Sequence, residues 1–89
     1  MVEISIPKIE ELAKALTPVP DMAILLGIPE SELRMTLSDP CSDVSKAFHK
    51  TIAEVALRIR QRDIDLADAG SPTAAEAVSH HLTKMNLSL

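Results

Sequence analysis

The chain has 89 residues, a formal charge of -4 and one aromatic residue of the Phe/Tyr/Trp type, Phe48, beside one Cys, two Gly and six Pro. A length of this order sets one small domain as the ceiling. A single Cys excludes an internal disulfide and a Cys-based zinc framework. The longest run free of Asp, Glu, Lys and Arg, Met22 to Pro29, is far shorter than the ~20 apolar residues that cross a bilayer. No basic start followed by an apolar core marks a leader. The expectation is a soluble protein of the cytoplasm that makes no membrane contact.

Hydrophobic residues form 46% of the chain, so Leu, Ile, Val, Ala and Met replace aromatics as core material. Such side chains suit helix-on-helix packing. Without Tyr or Trp, the stacking platforms of single-strand nucleic-acid binders are missing.

The first element starts at Ser5-Ile6-Pro7, with Ser as cap and Pro in the first turn, where its missing N–H costs nothing. Ile6, Ile9, Leu12, Ala13 and Leu16 continue it at helical spacing. Thr17-Pro18-Val19-Pro20 stops it. A short apolar helix, Met22 to Leu26, ends at Gly27, the residue suited to a left-handed turn. Pro29-Glu30-Ser31-Glu32 opens another helix, with its acids at the positive end of the dipole and Leu33 and Leu37 as apolar positions.

Ser38 to Ser42 is a turn cluster. The longest pattern follows, about Asp43 to Ala69, free of Gly and Pro and ~40 Å long as a helix. Gly70-Ser71-Pro72 punctuates the chain, and Thr73 to Met85 forms the last helix, with Ala74, Val78, His81 or Leu82, and Met85 on one side. Val2 to Ile6 alternates but is too short to found a sheet. The sequence predicts an all-α fold of four or five helices. A helix-turn-helix unit spans residues 1–42, and a long helix with an antiparallel return spans 43–89.

Two apolar stripes run along the long helix. Phe48, Ile52, Val55, Ile59, Leu66 and Ala69 form one, interrupted by Arg62; Ala53, Leu57, Ile64 and Ala67 form the other. A helix with two apolar faces has two partners to satisfy. Phe48, Ile52, Val55, Ile59 and Leu66 are therefore the expected contact of a homo-oligomer, the alternative being a compact monomer that hides both stripes. Asp63, Asp65 or Asp68 of an antiparallel copy would answer Arg62.

Val19 to Leu37 fits a helix-turn-helix template. Ala23 stands at the close crossing, Gly27 at the turn, and Ile28 and Leu33 in the core. The segment Asp21-Met22-Ala23-Ile24-Leu25-Leu26-Gly27-Ile28-Pro29 resembles the helix-turn-helix of small terminase subunits from tailed bacteriophages and prophages. Val44-Ser45-Lys46-Ala47-Phe48-His49-Lys50 resembles the lead into that family's long helix. Ile64 to Pro72, followed by Thr73-Ala74-Ala75, resembles its hairpin. The matches cover about residues 17–80. The resemblance implies recognition of viral double-stranded DNA, assembly through helical hairpins, and regulation of a large terminase subunit in a bacterial host cell.

Charge is unevenly divided. Residues 1–43 carry three basic and eight acidic side chains, residues 44–62 five and one, and residues 63–89 one and four. A basic central helix suits phosphate contact, which needs charge and no base readout. Outward positions of the second template helix are Glu30, Ser31, Glu32, Arg34 and Met35. The candidate DNA-binding residues are Arg34, Lys46, Lys50, Arg58 and Arg62. A plainer expectation is that these cations pair with carboxylates, Glu54 to Arg58 having the favourable spacing.

Catalytic and metal candidates are weak. His80 and His81 point about 100° apart on a helix and cannot chelate one metal together. Asp63, Asp65 and Asp68 spread around the axis, and Cys41 has no basic neighbour in sequence. No Gly-rich phosphate loop exists. A non-enzyme without metal or cofactor is expected. The alternative to DNA packaging is a helical structural or adaptor module that binds a partner protein and makes no DNA contact.

Overall fold

The computed structural model describes residues 3–89. These form five helices: α1 (Ile6–Lys14), α2 (Val19–Leu26), α3 (Glu30–Ser38), α4 (Asp43–Asp68) and α5 (Pro72–Leu87). No strand occurs among the described residues. Val2 lies outside them, and Glu3 to Ser5 are irregular.

Three helices end in the same way. At α2, Ile28 N–H donates to the carbonyl of Ala23 and Gly27 N–H to that of Ile24, with Gly27 left-handed at φ 70°. At α4, Ser71 N–H donates to Leu66 and Gly70 N–H to Ala67, with Gly70 at φ 98°. This paired pattern satisfies carbonyls that the last turn would otherwise orphan. At α1, Thr17 N–H donates to Leu12 and Leu16 N–H to Ala13. Here the left-handed position is filled by Leu16, at φ 57°. The sequence places Leu16 on the apolar stripe of α1. The chain instead leaves the helix there, and Leu16 is 57% exposed.

Helix starts are less uniform. Ser71 caps α5 through its side chain, accepting from Ala74 N–H at 3.2 Å. Ser42 does the same for α4, accepting from Ser45 N–H at 3.3 Å. Ser5 takes the cap position of α1 without a side-chain bond, so Pro7 in the first turn is what favours that start.

Two compact units emerge, Met1–Glu54 and Val55–Leu89, and α4 contributes to both. The boundary falls inside α4 and not at the turn near residue 42, because Val44, Phe48 and Ile52 pack against the core of the first unit. That core comprises Ile9, Leu12, Ala13, Met22, Ala23, Leu33 and Leu37. Ile9, Met22 and Leu33 are fully covered. A polar bond closes the same unit: Ser45 Oγ, itself buried, donates to the Leu37 carbonyl at 2.8 Å. It satisfies a carbonyl in the last turn of α3.

In the second unit the rest of α4 and α5 form a hairpin around Gly70. Asp63 and His81 meet by hydrogen bond although 18 residues apart. Two straight helices joined by a tight turn meet so only if the second runs back along the first. Val55 and Ala74 are the buried hydrophobics of this unit.

Candidate nucleic-acid interface

In the first unit, α2 and α3 are joined by the Gly27 turn. Ala23 and Leu33 are buried, and Ile28 packs against the same core. Their burial agrees with the core positions that the spacing predicts for Ile28 and Leu33. Ser31, Glu32, Arg34 and Met35 of α3 are exposed. Arg34 is not free: its Nε lies 3.5 Å from Glu30 Oε2 one turn back. Thr36 Oγ1 donates to the Glu32 carbonyl at 3.0 Å, and Ser38 Oγ to the Arg34 carbonyl at 2.8 Å. The Thr36 and Ser38 hydroxyls are thus turned onto the backbone of their own helix.

Lys46 and Lys50 are exposed and one turn apart on α4. Lys46 borders an open hollow with Leu37, Ser38, Pro40, Ser45 and His49. His49 Nδ1 lies 2.8 Å from the Ser45 carbonyl. A carbonyl only accepts, so Nδ1 carries the proton and Nε2 of the neutral ring is the unprotonated nitrogen. This edge therefore presents one ammonium and one imidazole beside the Ser38 hydroxyl.

In the second unit Arg58 and Arg62 are exposed, as is Arg60 between them. Among the described residues the ion pairs are Lys8–Glu11, Arg34–Glu30 and His81–Asp63. None involves Lys46, Lys50, Arg58, Arg60 or Arg62. The expected pair between Glu54 and Arg58 does not form, and both side chains stay in solvent. Favourable spacing alone contributes only a few tenths of a kcal/mol, roughly 0.3–0.5, to such a pair.

The first apolar stripe of α4 divides. Phe48 and Ile52 pack on the core of the first unit, and Val55 is buried within the chain. Ile59 and Leu66 are each 45% exposed. Only these last two remain available to a second chain, because the N-terminal helices use the other end of the stripe for their own core.

Sequence reasoning missed the tie between His81 and Asp63. His81 Nε2–H donates to Asp63 Oδ2 at 2.8 Å, and both side chains are largely covered. Local spacing holds no signal for a pair so far apart; only the Gly70-Ser71-Pro72 hairpin brings them together. His80 is exposed. Cys41 is an exposed free thiol in a turn where its N–H donates to Asp39 Oδ1 at 3.0 Å. Among the described residues no three His, Cys, Asp or Glu side chains converge on a point that would hold a metal ion, and no helix is long and apolar enough to cross a membrane.

Comparison with known proteins returns no match: no family model, no curated protein and no solved structure corresponds to this chain.

Proposed function

We propose that the protein associates with double-stranded DNA and self-assembles, in the manner of the small terminase subunits that its sequence resembles. The observation that carries this reading is the set of unpaired cations on α4. Among the described residues Lys46, Lys50, Arg58 and Arg62 have no carboxylate partner, although acidic residues outnumber basic ones overall. An acidic protein that leaves its basic helix unneutralised has charge to offer phosphates. Arg34 contributes more weakly, since Glu30 competes for it. Affinity per copy is low and repetition in an oligomer multiplies it. The partners implied are duplex DNA, further copies of the chain and a large terminase subunit, in the cytoplasm of a bacterial host cell. Catalysis and cofactors form no part of the reading.

The test is fluorescence anisotropy of a labelled duplex at low and high salt. Binding that falls steeply with salt and is lost in Lys46→Glu/Lys50→Glu supports the reading. No binding at low salt overturns it.

A second reading rests on a different observation. Ile24, Leu25 and Met35 are exposed on α2 and α3, Met35 to 75%. Exposed apolar side chains, Met35 among the outward positions of α3, suit a protein partner better than a phosphate backbone. On that reading the protein is a helical adaptor. Loss of partner capture in Met35→Glu, with no duplex binding by the unaltered chain, distinguishes it.

A further inference from the structure

The second unit covers less apolar surface than it carries. Val55 and Ala74 are buried, while Leu57, Ile59, Ile64, Leu66, Leu82 and Met85 are each about half exposed. A two-helix hairpin cannot shield both sides of either helix. We infer that a second copy of this chain covers the side of α4 that bears Ile59 and Leu66, with the two α4 segments antiparallel about a twofold axis between Arg62 and Asp63. The inference deepens the self-assembly part of the reading above and rests on it.

The order of charges along α4 chooses the occupant and its direction. Arg58, Arg60 and Arg62 precede Asp63, Asp65 and Asp68. A parallel copy sets arginines against arginines. An antiparallel copy sets each basic run against an acidic one, which is the self-complementarity a twofold contact requires. The register follows from two independent spacings. Ile59 and Leu66 are equally distant from the axis, so Ile59 of one copy lies opposite Leu66 of the other. Arg58, Arg62 and Asp65 follow at steps of four and three residues and share one side of α4 beside that stripe. In the same register Asp65 of the second copy falls between Arg58 and Arg62. Asp63 is held by His81 of its own chain, whereas Asp65 forms no ion pair among the described residues.

Apolar burial supplies the energy of such a contact. Exposed ion pairs contribute little net stability and instead fix orientation, as flanking charges do in coiled coils. Arg58 and Arg62 then serve the contact between copies, and phosphate contact falls chiefly to Lys46 and Lys50.

The experiment is sedimentation equilibrium of the full chain over a concentration series, with helicity followed by circular dichroism. The unaltered protein is expected to dimerise. Asp65→Arg, and separately Arg58→Glu/Arg62→Glu, each weaken dimerisation at least about tenfold with helicity retained, since they set like charges face to face. Mixing the two variants restores a heterodimer, because each now carries the complement of the other. A monomer at every concentration overturns the inference. So does an oligomer indifferent to both variants, which leaves self-assembly standing by another surface. Duplex binding by Asp65→Arg is read separately: its retention in a monomeric variant keeps DNA association apart from this contact, and its absence in the unaltered protein counts against the DNA reading alone.

Discussion

His81 and Asp63 form a hydrogen-bonded pair at 2.8 Å that joins α5 to α4. The bond lies well away from the Gly70 turn, where a hairpin of two helices has least to hold it. Besides this pair, the buried hydrophobics of the second unit are Val55 and Ala74, so the polar bond is a specific tie between its two helices.

Replacing His81 by Ala removes the donor and leaves the Asp63 carboxylate partly covered and unpaired. The expected loss is about 1–2 kcal/mol. In a chain of this size that lowers the melting temperature by roughly 4–8 °C per kcal/mol, measurable by circular dichroism. Amide exchange in α5 should rise with it. An unchanged melting temperature and unchanged α5 protection would show that the pair contributes nothing to stability.

The left-handed helix ends predict opposite outcomes at two positions. Nothing lies within 4 Å of a Cβ built on Gly27, so Gly27→Ala suffers only the backbone penalty of φ 70°, about 1 kcal/mol. At Leu16 the penalty is already present, and the exposed side chain has little packing to lose. Leu16→Gly should stabilise the chain by about 0.5–1 kcal/mol. Paired denaturant titrations check both signs, and a destabilised Leu16→Gly contradicts the account.

Leu33 is fully covered at the centre of the first unit. Leu33→Ala should cost about 2–5 kcal/mol, comparable with the whole stability of so small a core. Chemical denaturation is expected to show the first unit largely unfolded. A midpoint within the range of a surface variant would mean the site collapses around the smaller residue.

Each lysine of the Lys46–Lys50 edge that contacts a phosphate releases counterions. Lys46→Ala and Lys50→Ala should each reduce the slope of log binding constant against log salt by about one. Affinity falls uniformly across duplex sequences, since phosphates carry no sequence information. A variant that changes the preferred sequence while leaving the slope intact would assign the lysine to base edges.

Elements marked by local chemistry were legible in the sequence. Gly27 and Gly70 end helices where expected, Ser71-Pro72 opens α5, and the Gly- and Pro-free run forms α4 with its end one residue earlier than expected. Ala23, Leu33 and Leu37 are buried as their spacing implies. What escaped was set in one place by a local helix end and elsewhere by distance. Leu16 satisfies the helical period yet leaves the helix, because Thr17-Pro18 forces a stop and the backbone caps itself left-handed without a glycine. The stripe from Phe48 to Leu66 is one pattern in the sequence but meets different surroundings at its two ends. Periodicity reports which side of a helix is apolar and is silent on what covers it. The same limit hid Ser45, whose hydroxyl donates to the Leu37 carbonyl eight residues back.

The division inside α4 has a consequence for how the molecule opens. One continuous helix is held at its N-terminal half by a core of seven buried residues and at its C-terminal half by a thin hairpin. Backbone hydrogen bonds along it are alike, but the cost of breaking them is not. Local opening is expected to start at α5 and the distal turns of α4 and to halt where Ile52 packs on the first core, which amide exchange along α4 would show. The helix therefore acts as a graded element: its proximal turns share the global stability of the first unit, and its distal turns sample open states that a second copy would suppress.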